Sequence, residues 1–347
     1  MEIMKAMVLD QCAPVESAPL KWMELPDPSP GPGEVRVRVR SCGVCRTDLH
    51  VIECELPFLG HPLIPGHQIV GIVDQLGAGS KRFALGQRIG IAWLRHTCGQ
   101  CVYCRAGREN LCESARFTGY HEHGGYAEFA VVNEEFAYPI PDVFSDQQAP
   151  PLLCAGIIGY RSLKRSGLRS GESLAIYGFG SSAHIVIQVA LHMGCKVYVC
   201  TRGKKHRGLA ARLGAEWVGE NPEEIPALAD SAIIFAPAGE LVPKALEHLK
   251  KGGTLALAGI YMSTVPQMDY ENHLFYEKNI HSVTANTRHD GMELLRIAAE
   301  IPIRPEVRIF PLREANQALL SLKMDKMQGS GVLVIEGSAN GSARIFD

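Results

Sequence analysis

Three side chains in this sequence have the chemistry of a metal centre that leaves room for a substrate. They are Cys45 in Cys45-Arg46-Thr47-Asp48-Leu49-His50, His67 in Pro65-Gly66-His67-Gln68, and Cys154 in Pro151-Leu152-Leu153-Cys154-Ala155-Gly156. Thiolate and imidazole are the ligands a borderline-soft zinc ion prefers, and a catalytic zinc takes three protein ligands so that a substrate oxygen can occupy the fourth position. Cys154 is assigned as the distant third ligand because it lies where the chain passes from a zinc-bearing unit into a nucleotide-binding one. A histidine is more often a surface or satisfied core residue than a ligand, and the two cysteines are what reverse that reading for His67.

A second group is more compact: Cys98-x2-Cys101-x2-Cys104-x7-Cys112. Four thiolates close a tetrahedral shell and leave no open position, so this zinc is expected to be structural. Apolar packing does not explain four cysteines so close together, which disfavours a set of reduced, non-ligating thiols. A zinc ribbon that binds nucleic acid is disfavoured because Arg105, Arg108 and Glu109 form no basic stripe.

These residues must be positioned by two kinds of structure. Up to about residue 90 the chain reads as strands: Val35, Val37 and Val39 alternate with Arg36, Arg38 and Arg40, between stretches dense in proline and glycine. From about residue 155 the texture changes. The apolar run Ser173 to Tyr177 meets Gly178-Phe179-Gly180-Ser181-Ser182-Ala183, then a helical pattern that Gly194 ends, then the strand Lys196 to Cys200. Strand, glycine turn, helix and strand together form the context of a dinucleotide fingerprint, in which backbone amides at the helix start hold a pyrophosphate. Gly178, Gly180, Ser181, Ser182 and Ala183 are the candidate contacts, with Ala183 replacing the third glycine. Further β/α alternation follows, with strands near Ala232 to Ala236, Thr254 to Gly259 and Ile280 to Val283. Helix, strand, helix and strand complete the chain, and only the stretch from Gly337 to Asp347 looks loose.

The turn after the second nucleotide-domain strand bears on the cofactor. An NAD site usually places a carboxylate there, against the adenosine ribose. Here Thr201-Arg202-Gly203-Lys204-Lys205-His206-Arg207 contains no acid. A hydroxyl followed by a guanidinium and ammonium groups suits a 2′-phosphate, so NADP(H) is expected over NAD(H), with Thr201, Arg202 and Lys205 as contacts. The alternative is a solvated basic turn.

Composition excludes several classes. A chain of 347 residues has room for two domains, and a net charge of −2 with 46% hydrophobic residues gives no basic excess for a nucleic-acid partner. No apolar run is long enough for a spanning helix and the N-terminus lacks a signal peptide's apolar core, so no membrane association and a cytoplasmic location are expected. Eleven cysteines fit zinc ligands plus buried thiols better than a secreted disulfide framework.

In motif order and spacing the whole chain resembles the zinc-containing medium-chain alcohol dehydrogenases. The segments Cys45 to His50 and Ser282 to Arg288 are most similar to the bacterial propanol-preferring branch. The resemblance implies an α/β protein: a GroES-like β-rich catalytic domain of residues 1–154 and 286–347, carrying both zinc sites, and a Rossmann doubly wound parallel-sheet cofactor domain of residues 155–285. It implies two zinc ions per chain, the catalytic one on Cys45, His67 and Cys154. It also implies interconversion of small primary alcohols and aldehydes by hydride transfer with NAD(P), in a homodimer or homotetramer. Thr47 would accept the alcohol proton, His50 would end a relay to solvent, and Asp48 would orient the imidazole of His67. Thr47 as a plain hydroxyl and His50 as a surface histidine are the alternatives. Trp93 resembles the aromatic wall that narrows the alcohol pocket, or is a core tryptophan. Two residues depart from the family pattern. Gln68 stands where glutamate is usual, which puts a glutamate-assisted exchange step in doubt, and Ser330 stands where many members place an arginine near the cofactor phosphates. A polyol dehydrogenase of the same family, or a catalytically silent nucleotide-binding relative, is the alternative function.

Overall fold

Alternating valine and arginine at 35–40 builds the central strand of a sheet: Val35, Val37 and Val39 are fully buried while Arg36 and Arg38 lie along the outer face over the Phe129 ring, at 4.6 and 5.6 Å. The computed structural model describes residues 2–57, 59, 62–301 and 303–335. In chain order it begins β1 (Ile3–Leu9), β2 (Leu20–Pro26), β3 (Glu34–Val44), α1 (Arg46–Ile52), β4 (Ile69–Leu76), β5 (Arg88–Ile91) and β6 (Leu94–His96). It continues α2 (Val102–Arg105), β7 (Arg116–Phe117), β8 (Phe129–Asn133) and β9 (Ala137–Pro139). Helix α1 is absent from the strand-only reading of the first ninety residues. Its seven residues are too few to show a helical period, and it is started instead by a cap: Asp48 accepts the backbone N–H of Cys45 at 2.8 Å.

The second half runs α3 (Ala155–Ser166), β10 (Ser173–Tyr177), α4 (Ser181–His192), β11 (Lys196–Cys200), α5 (Lys204–Arg212), β12 (Trp217–Gly219), β13 (Ala229–Ile234) and α6 (Leu241–Glu247). Then come β14 (Leu249–Leu257), α7 (Tyr270–His273), β15 (Asn279–Ser282), α8 (Arg288–Glu300), β16 (Val307–Pro311), α9 (Ala315–Lys323) and β17 (Ser330–Val334). Strands β10 to β15 form one six-stranded sheet in the order β12-β11-β10-β13-β14-β15, with every pairing parallel. The order reverses beside β10, the switch point at which doubly wound sheets bind ligands outside their carboxyl ends. Strand β10 is buried throughout because helices cover both faces, and this is why its sequence is a continuous apolar run.

The last two strands do not extend that sheet. β17 pairs antiparallel with β3 and parallel with β16, giving a seven-stranded first sheet. Helix α8, by contrast, packs Leu294, Leu295 and Ala298 into the core that also holds Ile157, Leu163 and Val186 of α3 and α4. The same core takes in Tyr138, Ile140, Leu152 and Leu153, so the seam between the sheets is apolar and closes immediately before Cys154. The loose stretch expected at Gly337 to Asp347 lies outside the described residues.

The cysteines divide three ways. Six fall into two groups able to hold metal ions, and Cys42, Cys195 and Cys200 are buried thiols. Cys12 and Cys54 are joined in a disulfide, which the expectation of ligands and buried thiols alone did not include.

Candidate metal centre and cofactor cleft

Cys45 ends β3 and begins α1, so its sulfur is held by a strand on one side and a helix cap on the other. His67 is carried by Gly66, whose φ of +95° is in the left-handed region and where a Cβ would lie 2.3 Å from the Tyr126 ring. Only glycine meets both demands. Cys154 stands at the junction of a short 3-10 turn (Pro150–Leu153) and α3. Its sulfur is 3.8 Å from that of Cys45 and 3.3 Å from Nε2 of His67. Two sulfurs bound at ~2.3 Å to one tetrahedral ion stand roughly 3.8 Å apart, so the donor set fits zinc in type and in spacing.

One carboxylate organises this group. Asp48 Oδ1 accepts from His67 Nδ1 at 2.9 Å, and Oδ2 accepts from the Cys45 backbone and from the hydroxyl of fully buried Tyr126 at 3.0 Å. That bond fixes the imidazole so that Nε2 faces the sulfurs. Electrostatics follow from crowding. Burial lowers the pKa of His67, but the Asp48 charge and hydrogen bond, with help from Cys45, lift it to about 10. A hydrogen bond from Cys154 pulls the Cys45 thiol well down against burial, and the same bond with burial pushes Cys154 up.

The expected neighbours divide into near and far. Thr47 is buried in the first turn of α1, its hydroxyl 3.7 Å from the Cys45 sulfur. His50 is one turn further along and its ring pairs with the Glu55 carboxylate. Trp93 lies edge-on to His67 with ring centres 5.0 Å apart, stacks on Phe117 at 4.8 Å and reaches Tyr120 at 6.2 Å. It is part of an aromatic wall beside the donors. Gln68 is buried against Gly43, where a Cβ would stand 2.8 Å from its amide carbon. Tyr126, Phe117 and Tyr120 were missed in the sequence. The one trace of Tyr126 among the motifs is Gly66, whose missing Cβ makes room for the Tyr126 ring.

Cys98, Cys101, Cys104 and Cys112 converge in the loop around α2, with Cys98 Sγ 4.0 Å from Cys104 Sγ and 3.6 Å from Cys112 Sγ. Backbone N–H groups of Gln100 and Cys101 draw the Cys98 thiol down to about 6, the state a metal requires. All four sulfurs face one another, and the shell fits a second zinc.

The glycine turn sits at the switch point. Gly178 has φ +87° and approaches Ala236 closely, and a Cβ on Gly180 would meet nothing within 4 Å. That open space lies before the first turn of α4, where the amides of Ser181, Ser182 and Ala183 lack intrahelical partners. A dinucleotide pyrophosphate fits there. Thr201 is buried, and its hydroxyl accepts the Phe179 N–H at 3.2 Å, so it braces the glycine turn. Arg202, Lys204 and Lys205 are exposed and make no ion pair among the described residues, whereas His206 pairs with Asp325 at 3.2 Å and Arg207 with Glu220. Ser330 is buried and its hydroxyl bonds that of Ser181, which joins β17 to the start of α4.

Comparison with known proteins agrees with this geometry. Residues 31–142 match the alcohol dehydrogenase GroES-like domain and residues 183–300 match the zinc-binding dehydrogenase family. A probable alcohol dehydrogenase of Mycobacterium tuberculosis is 47% identical over 96% of this chain and 97% of its own. Among solved structures, an NADP-bound zinc-binding dehydrogenase from Sinorhizobium meliloti has a TM-score of 0.85 at 26% identity, covering 96% of this chain and 100% of that one. Acetophenone reductase from Geotrichum candidum in complex with NAD has a TM-score of 0.85 at 25% identity, covering 96% and 98%. With a GroES-like sheet, a parallel nucleotide-binding sheet and this level of identity, the chain belongs to the zinc-containing medium-chain alcohol dehydrogenases, oxidoreductases that act on CH–OH groups with a nicotinamide cofactor.

Proposed function

We propose that this protein interconverts small primary alcohols and aldehydes, with NADP(H) preferred over NAD(H). The observation that carries the reading is the convergence of Cys45, His67 and Cys154 beside the wall of Trp93, Phe117 and Tyr120. Zinc on those three side chains would supply Lewis acidity at the alcohol oxygen, and a nicotinamide would supply the hydride acceptor. The chain's own groups do the rest. Asp48 holds the His67 ring, Thr47 takes the substrate proton at its hydroxyl, and His50 passes it toward solvent, with Glu55 on its ring nitrogen. The stacked wall narrows the space beside the donors, which favours short, unbranched alcohols over polyols.

The same reading assigns Cys98, Cys101, Cys104 and Cys112 to a structural zinc, residues 1–154 with 286–347 to the catalytic domain, and residues 155–285 to the cofactor domain. The return of β16 and β17 to the first sheet supports that division for the tail, whereas α8 packs against α3 and α4 in the core of the cofactor side. Self-association into a homodimer or homotetramer is supported by the open edge strand β15 and by exposed Ile260, Tyr261, Tyr270 and Phe275 near it in the chain.

NADP-bound and NAD-bound structures are equally similar to this chain, so the preference rests on the turn after β11. Three exposed cations without acidic partners among the described residues favour a phosphate, and because the Thr201 hydroxyl already accepts the Phe179 N–H, Arg202 and Lys205 are the contacts this reading favours. A panel of C2 to C6 alcohols and polyols, run with each cofactor, tests this. Arg202→Asp is expected to weaken NADP binding by about 1–3 kcal/mol and leave NAD nearly unchanged. Higher kcat/KM with NAD in the wild type would defeat the preference, and faster turnover of polyols would defeat the substrate class.

A further inference from the structure

Cys12 follows β1 and Cys54 follows α1, and the two are joined with Cα atoms 5.7 Å apart. Both are partly accessible, unlike the buried thiols Cys42, Cys195 and Cys200. Cys54 has φ +57°, the left-handed conformation of the residue that follows the C-cap of α1, and it is the one such residue tied by a disulfide among the described residues.

The four residues from Cys54 to Pro57 touch both parts of the proposed alcohol site. The Glu55 carboxylate lies on the His50 ring, and the Leu56 N–H donates to the His50 carbonyl at 3.1 Å. Pro57 O accepts the Tyr120 hydroxyl at 2.9 Å, and Tyr120 stacks against Trp93 in the wall beside His67. The residue before the bond is separately anchored: Glu53 accepts the Val15 N–H and pairs with Lys323, each at 2.8 Å. Helix α1 therefore stays docked without the disulfide. What the bond adds is a covalent tie at Cys54, where the chain leaves α1 for Glu55 to Pro57.

We propose that Cys12–Cys54 is a reversible thiol–disulfide switch that sets the alcohol pocket through residues 54–57. With the bond closed, Cys54 is held left-handed, Glu55 stays on His50 and Pro57 stays under Tyr120. With it open, Cys54 is free to leave the left-handed region and both contacts loosen. Cys54 is a positioning residue, and the proposal rests on the assignment of His50 and the Trp93 wall to the substrate site. The partner is a low-molecular-weight disulfide. One protein thiolate attacks it and releases one small thiol, then the second protein thiolate resolves the mixed disulfide and releases the other. Two protein thiols lose two electrons and two protons, and the two released thiols carry them. A dithiol reverses the exchange.

The test uses zinc-loaded, full-length protein equilibrated with oxidised glutathione or with dithiothreitol. Alkylation in denaturant with chelator should label nine of the eleven cysteines in the oxidised form and all eleven in the reduced form, with the Cys12–Cys54 linkage seen by peptide mass. Reduction should raise KM for the alcohol roughly three- to tenfold, with cofactor Kd and zinc content unchanged. Cys12→Ser should behave as the reduced form and ignore dithiothreitol, and the fluorescence change on reduction should vanish in Trp93→Phe. Eleven labelled cysteines after oxidation, equal KM in both states, or a Cys12→Ser protein that still responds to dithiothreitol overturns the switch. If thiols and Trp93 fluorescence respond but no alcohol is oxidised in either state, the switch on the wall stands and the function reading fails.

Discussion

Asp48 shows how much one side chain can decide. Its two oxygens take the His67 imidazole, the Cys45 backbone and the Tyr126 hydroxyl, so it starts α1 and aims a proposed zinc ligand at the same time. An amide cannot do both. If an asparagine side chain at this position turned its oxygen to His67, its NH2 group would face the Cys45 N–H, donor against donor. Asp48→Asn is therefore expected to lower zinc affinity at the Cys45 site about 10- to 100-fold while the four-cysteine site keeps its metal, as competition with a chromophoric chelator would measure. Unchanged affinity would mean that His67 is oriented by something else. Gln68, next to His67, is buried and neutral, so its position leaves Asp48 as the carboxylate in direct contact with the ligand set.

At the scale of elements, α4 joins the cofactor cleft to the returning tail. Gln188 Oε1 accepts the Arg304 N–H at 2.9 Å, and Nε2 of His184, a fully buried residue, accepts the Glu306 N–H at 3.2 Å. Accepting there requires an unprotonated Nε2, so His184 is neutral with its proton on Nδ1, toward Gly180 O. Burial agrees, pushing its pKa from 6.5 down to about 4. Between those values the unfolded chain binds a proton that the folded chain refuses, so stability falls as pH drops through that window, by about 3 kcal/mol at most. Urea midpoints at pH 7 and pH 4.5 check this. His184→Gln should lose less stability than wild type over that interval, since its amide oxygen can accept the same N–H at either pH. Equal losses would show that His184 is not the group responsible.

The whole molecule keeps its two proposed metal sites in different mechanical settings. The Cys45 site lies at the seam of the two sheets, whereas the four-cysteine loop is braced from outside: Glu109 takes the Arg288 backbone N–H at 2.7 Å and its guanidinium at 2.7 to 3.1 Å, and Asn110 donates to Thr284 O. Four thiolates bind more firmly than three donors with an open position. Fresh protein should therefore hold two zinc ions per chain, and mild chelation should abolish activity as the first leaves, with Tm dropping only when the second follows. One zinc in fresh protein, or loss of both together, would contradict this.

Read alone, the sequence determined the chemistry and the order of parts. Its cysteine spacing, the glycine turn between apolar strands and the acid-free Thr201 to Arg207 segment are local patterns, and local patterns survive without coordinates. Periodicity likewise marked β3, β10, β11 and α4, since a face buried along a whole element leaves a repeat in the sequence. Only the tertiary structure decided what is made by residues distant in the chain. It showed that Asp48 serves both Cys45 and His67, that Tyr126 closes the same network and that Phe117 and Tyr120 extend the wall of Trp93. It also engaged Thr201 inside the glycine turn, added α1 where no period could reveal it and joined Cys12 to Cys54. A contact between residues dozens or hundreds of positions apart is fixed by packing and by the satisfaction of buried polar groups, and neither leaves a spacing to read.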